Sequence, residues 1–117
     1  MSSLPFEPTG PDERLLMQGV MMCSRPSESL WRGRTTTLTN RRIAATDEQG
    51  FVFHAFIEDI AAASLETPWK GPRVQLVLKG GNTVIFTTPG TTNGAIKKVL
   101  QPWVNKLNEL LVLSQRG

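Results

Sequence analysis

From Leu30 to Ile57, apolar or β-branched positions fall in three short runs separated by turn residues, which predicts three consecutive antiparallel strands. The first, Arg32 to Thr39, is rich in threonine, whose branched side chain suits a pleated, half-buried surface better than a helix. Asn40 stands where the chain must reverse and tolerates the left-handed backbone of tight hairpins, so Arg41 to Thr46 returns as the second strand. Asp47-Glu48-Gln49-Gly50 is a turn signal, with Asp bonding its own backbone and Gly supplying positive φ. In the third strand, Phe51, Phe53, Ala55 and Ile57 alternate with Val52, His54 and Phe56, so both faces are largely apolar and need cover.

The flanking pattern extends this meander. Leu15 to Cys23 predicts an opening strand in which Gly19 marks a bulge or bend and the methionines serve as flexible core filler. Ser24 to Ser29 is a polar loop. Ile60 to Glu66 is a strand of small residues, with alanines that leave room for something large opposite. Thr67-Pro68-Trp69-Lys70-Gly71-Pro72 is an exposed loop, because its prolines and glycine do not fit a sheet interior. Arg73 to Leu78 turns Val74, Leu76 and Leu78 inward, Gly80-Gly81 signals a two-residue hairpin, and Thr83 to Thr88 pairs back. From Gly94 to Val112 the spacing changes: Ile96, Val99, Leu100, Trp103, Leu107, Leu110 and Leu111 predict an amphipathic helix. Pro102 should kink or split it, since it removes one backbone hydrogen bond. Residues 1–13 read as an extended or disordered lead-in and 114–117 as a tail around one folded domain, 14–113.

The run Arg34-x3-Leu38-Thr39-x-x-Arg42-Ile43, then a turn, an apolar strand and Ile57-Glu58-Asp59-Ile60, resembles the signature of GRAM and GLUE domains, branches of the pleckstrin-homology superfold. Thr67-Pro68-Trp69-Lys70-Gly71-Pro72-Arg73-Val74-Gln75-Leu76 is similar to a basic loop and strand in the GLUE domain of the membrane-recognising subunit of endosomal sorting complex II. One position departs: Ala45 stands where members often carry an aromatic residue, so a neighbouring core side chain must fill that space. The resemblance implies a mostly β fold with one C-terminal α-helix. Seven antiparallel strands in two near-orthogonal sheets would form a partly open barrel, capped by the helix with Trp103 as its plug.

Composition narrows the chemistry. A chain of 117 residues with 39% hydrophobic and 20% charged residues has ordinary globular composition, long enough for one core. With no long apolar run and no charged-then-apolar start, it reads as a soluble intracellular protein. One cysteine, Cys23, forms no internal disulfide, and one histidine leaves no ligand set for zinc or another metal. No cofactor motif is present. Adjacent Glu58-Asp59 and Asp47-Glu48 point to opposite faces of a strand and make no facing acid–base pair. His54, mid-strand beside phenylalanines, reads as a packed histidine with one backbone partner. The chain is therefore read as non-enzymatic.

The net charge of +3 is unevenly spread, with basic clusters between Arg25 and Arg42 and after Glu66. Recognition of a phosphoinositide needs two or three cationic donors converging from a loop and adjacent strand starts. The loop ending at Arg73 offers Lys70 and Arg73 around Gly71, which permits close backbone approach, with Trp69 placed for the lipid interface. The GLUE resemblance points to this site and to phosphatidylinositol 3-phosphate. An alternative is Arg25-x6-Arg32-x-Arg34, similar to ordinary pleckstrin-homology pockets, where Arg32 and Arg34 share a face and could grip one phosphate. Arg42 reads as a structural residue tying turn carbonyls. The expected function is membrane targeting, peripheral on endosomal membranes from the cytoplasm, in endosomal sorting and vacuolar protein transport. The other subunits of complex II are implied partners where the chain belongs to a longer protein. A pleckstrin-like platform for ubiquitin or a peptide is the alternative. Nucleic acid is not an expected partner, because the basic residues are not interleaved with exposed aromatics.

Overall fold

The computed structural model describes residues 12–24, 31–69 and 71–116. The Ser24–Ser29 loop beyond Ser24, and the lead-in before Asp12, lie outside the described residues. Strands β1 (Leu15–Cys23), β2 (Arg32–Thr39), β3 (Arg42–Asp47) and β4 (Gly50–Phe56) form one antiparallel sheet in sequential order. After a 3-10 turn at Ile57–Asp59, strands β5 (Ile60–Glu66), β6 (Arg73–Leu78) and β7 (Thr83–Phe86) form a second. Helix α1 (Asn93–Arg116) follows. Among the described residues the fold is thus mostly β with seven strands and one C-terminal helix, as the hydrophobic pattern predicts. The sheets are tied at one corner by the Met22–Thr87 bridge, whose two backbone bonds measure 2.6 and 3.0 Å. They do not otherwise close into a barrel among the described residues.

The turns use the chemistry expected of them, with two differences. At the β3–β4 turn, Gly50 takes φ +111 and Asp47 Oδ1 accepts from the Gln49 N–H at 2.8 Å. Asn40 does not adopt positive φ. It works through its side chain, whose Oδ1 accepts from the Arg14 N–H at 2.6 Å and whose Nδ2 donates to the Asp12 carbonyl at 2.8 Å. The β2–β3 reversal is set instead by Thr39, whose Oγ1 accepts from the N–H groups of Arg41 and Arg42, both at 3.1 Å. The β6–β7 loop spans Lys79 to Asn82 rather than two residues: the N–H of Gly81, at φ +99, donates to the Leu78 carbonyl, and the Leu78 N–H donates to the Asn82 carbonyl.

Gly19 is not a bulge. It pairs in regular register with Thr36, and the irregularity lies between Leu15 and Met17. Trp103 lies across Gly19, its Cζ2 3.7 Å from where a Cβ would stand, and meets Phe86 edge-on at 6.0 Å between centroids. Phe86 is fully buried and stacks on Phe53, the cross-strand partner of buried Ala45, so aromatic surface surrounds the position where the family motif would place another ring. Of the alanines in β5, Ala63 is buried while Ala61 and Ala62 are exposed. The Ala63 carbonyl accepts a 3.2 Å bond from Asn108 Nδ2 on the helix.

Helix α1 is longer than its apolar pattern predicts, so Ser114 to Arg116 are helical rather than tail. It also runs through Pro102 without a break. Pro102 faces solvent, while Leu100, Trp103, Val104 and Leu107 on either side of it are buried against the sheets. Packing of both halves offsets the missing hydrogen bond. Pro102→Ala should restore that bond and raise stability by about 1 to 3 kcal/mol, read as a higher urea midpoint at unchanged m-value.

Candidate functional site: a cavity beside Arg73

The loop between β5 and β6 is shaped by two backbone devices. The Gly71 N–H donates to the Pro68 carbonyl at 2.9 Å and Gly71 takes φ +120, a conformation that favours glycine. The Pro72 carbonyl is then pinned by Thr87 Oγ1 at 2.7 Å. Together these hold the loop beside the end of β7 and the start of α1. A cavity of about 560 Å³ opens there, walled by Met22, Trp31, Pro68, Pro89 and Ile96, with Gly71 and Arg73 on its lining. At its rim, a Cβ on Gly90 would stand 2.7 Å from Ile96 Cγ1, so only glycine fits without displacing that side chain.

Arg73 is the charged residue on the lining of this cavity, beside Thr87 and Thr88. Its Nε is buried and has no hydrogen-bond acceptor among the described residues. A buried, unanswered guanidinium N–H is costly unless an acceptor arrives from outside. Glu66, its partner in the β5–β6 register, accepts from Ser64 Oγ at 2.8 Å. Next along the loop, Trp69 is 90% exposed. Of the residues expected at this site, Gly71 and Arg73 line the cavity, Trp69 is exposed on the loop and is not part of that lining, and Lys70 lies outside the described residues.

The second expected cluster does not assemble in the same way. Arg32 is exposed at the start of β2, and Arg25 lies outside the described residues. Arg34 is buried: its Nη1 donates to the Cys23 carbonyl at 2.7 Å and its Nη2 pairs with Asp47 at 3.3 Å. A shared strand face does not make a shared phosphate grip here, because the Asp47 carboxylate already holds Arg34 inside the fold.

A further cluster was invisible in the sequence pattern. Glu13, placed by that pattern in the lead-in, is buried, and its carboxylate holds Arg42 through Nε at 2.9 Å and Nη2 at 3.3 Å. Thr39 Oγ1 also donates to Glu13, at 2.6 Å. Arg42 is structural, as expected, but it grips a carboxylate rather than turn carbonyls. Its Nη1 lies 3.3 Å from His54 Nε2, so His54 has a side-chain partner in place of the expected backbone one. Since a guanidinium only donates, His54 must accept at Nε2 and be neutral. The ring also packs against Phe51 and Phe56, with centroids 4.8 and 4.9 Å away. Burial, and then the Arg42 charge, lower its pKa below the ordinary 6.5, against a smaller opposing effect of Glu13.

No protein-family model and no curated protein matches the chain. Among the described residues, no three His, Cys, Asp or Glu side chains gather as a metal-binding group. Also among the described residues, no helix is long and apolar enough to cross a membrane. What the cavity offers chemically is a half-buried guanidinium whose Nε is out of reach of water, beside apolar side chains.

Two outcomes follow from the buried cluster. Glu13→Ala removes the carboxylate against which Arg42 is buried and should cost about 3 to 5 kcal/mol in urea unfolding, while Glu13→Leu combined with Arg42→Met should cost much less. For His54, the folded pKa lies below the unfolded value near 6.5, so the unfolded chain takes up the proton first as pH falls. Its contribution is fully present above pH 6.5 and declines on acidification toward the folded pKa. His54→Gln should therefore reduce the drop in melting temperature between about pH 7.5 and 5.5; an unchanged drop would assign it to other groups.

Proposed function

We propose that the chain is a non-enzymatic pleckstrin-homology-like module of the GRAM/GLUE kind that binds a phosphorylated lipid headgroup, phosphatidylinositol 3-phosphate in the favoured case. The observation that carries this reading is the buried Nε of Arg73, without an acceptor among the described residues, in a side chain that lines the cavity described above. A phosphate oxygen is the acceptor that a buried guanidinium answers best. Lys70 is adjacent in sequence to supply further positive charge, and the exposed indole of Trp69 suits the headgroup level of a bilayer. Seven strands in sheets of four and three followed by one helix support the pleckstrin-homology part of the reading.

On this reading the domain works from the cytoplasm as a peripheral element on endosomal membranes, in endosomal sorting and vacuolar protein transport. It would act beside the other subunits of complex II where it belongs to a longer protein. Of the two basic sites, the loop site is preferred because Arg34 in the other is already bound to Asp47.

Co-sedimentation with liposomes carrying each monophosphorylated phosphoinositide, with phosphatidylserine controls, tests this directly. Lys70→Ala with Arg73→Ala should weaken selective binding by about tenfold or more while the thermal melt is retained, and added salt should weaken binding of the wild type. Arg32→Ala should change little. Equal indifference to every liposome would turn the reading toward ubiquitin or a peptide as the partner.

A further inference from the structure

A second cleft lies at the other end of α1. Ile96 lines the Arg73 cavity, whereas Leu110 and Leu113 line this one, a separation of about 21 Å along the helix at 1.5 Å per residue. Its volume is about 360 Å³, with Phe56, Ile57, Leu110 and Leu113 as apolar lining and Arg14, Arg41 and Glu58 as charged lining. Phe56 and Leu113 on this lining remain 42% and 56% exposed.

The two arginines are held by their backbones, not by their charges. Asn40 receives the Arg14 N–H on Oδ1 at 2.6 Å and donates its own N–H to the Arg14 carbonyl at 3.1 Å. Arg41 donates its N–H to Thr39 Oγ1 at 3.1 Å and accepts from the Ile57 N–H at 2.8 Å. Both side chains are exposed, and neither forms a salt bridge with a described residue, unlike Arg34 and Arg42. Two guanidinium groups are thus fixed at their bases beside an apolar floor, with carboxylate-binding capacity unused.

We propose that this cleft docks an extended acidic segment of a partner protein. One bulky apolar side chain of that segment seats between Phe56 and Leu113, and carboxylates flanking it meet Arg14 and Arg41. The volume is near the lower end for ligand pockets, which fits one anchoring side chain rather than a larger ligand. Glu58 on the lining decides between a peptide and a membrane. A bilayer presents negative charge everywhere and is repelled there, whereas a peptide places its carboxylates at the arginines and a neutral residue opposite Glu58. This proposal does not depend on the headgroup reading of the Arg73 cavity.

The test is fluorescence polarisation with labelled peptides of about ten residues that carry a central Phe or Leu flanked by Asp and Glu, by Ser, or by Lys. Acidic flanks should bind, Ser flanks about tenfold more weakly, and Lys flanks not at all. Arg14→Ala with Arg41→Ala should lower the affinity for the acidic peptide about tenfold, as should Leu113→Asp, while Arg73→Ala leaves it unchanged. The arginine substitutions keep every backbone bond described, so a retained thermal melt shows that the fold persists. Equal binding of acidic and Ser-flanked peptides, binding insensitive to both arginines, or no binding of any peptide overturns the proposal. Loss of phosphatidylserine vesicle binding in the Arg14/Arg41 variant without peptide binding overturns it in favour of a membrane contact.

Discussion

Burial of Leu100, Trp103, Val104 and Leu107 against two small sheets is the contact on which the other parts depend. Small sheets need their apolar face covered, and among the described residues these sheets of four and three strands are joined by one bridge at a corner. The helix supplies the missing cover. Trp103 reaches β1 at Gly19 and the end of β7 at Phe86, so one side chain touches both sheets. Because both faces of that contact are buried, the helix continues through Pro102 where an isolated one would break. Its two ends are then fixed in space, and each borders a cleft: Ile96 the one beside Arg73, Leu110 and Leu113 the one beside Arg14 and Arg41.

The strands were legible where a period of two meets unambiguous turn residues. The bounds of β1, β2, β5 and β6 coincide with the hydrophobic pattern because prolines, glycines or polar breaks stand at their ends. The pattern failed where a local residue is used for a distant purpose. The local pattern marks Asn40 as a left-handed turn former, yet its amide is committed to the backbone at Arg14 and Asp12, far away in sequence. Gly19, which the pattern marks as a bulge or bend, instead pairs in regular register with Thr36 and lies under the indole of Trp103. Glu13 could not be found at all, because its partners Thr39 and Arg42 become neighbours only once β1 and β2 have paired.

The arginines show the same limit in electrostatic form. Read along the chain, Arg32, Arg34, Arg41 and Arg42 stand in one basic run, in which Arg32 and Arg34 are candidate anion ligands and Arg42 a structural residue. In the fold they divide. Arg42 is held by Glu13 and Arg34 by Asp47, and in each pair a buried cation is matched by a buried or nearly buried carboxylate. Asp47 serves twice, since its other oxygen organises the β3–β4 turn, so the ion pair and the hairpin support each other.

A basic residue is available for recognition only when the fold has not supplied its counter-ion, and that is a property of register rather than of charge density. Arg73 stands opposite Glu66 in the β5–β6 register, the arrangement that would ordinarily neutralise it. Glu66 instead takes its hydrogen bond from Ser64 on its own strand, and the Arg73 Nε stays buried without an acceptor. Desolvating a guanidinium N–H and leaving it unanswered works against folding, so its persistence beside an open cavity is itself an argument for an external anion. Surface lysines on the exposed face of α1, such as Lys97 and Lys98, carry no such argument, because water satisfies them at little cost. Among the described residues, what sets Arg73 apart from the basic residues around it is therefore one buried, unanswered N–H and not the local number of charges.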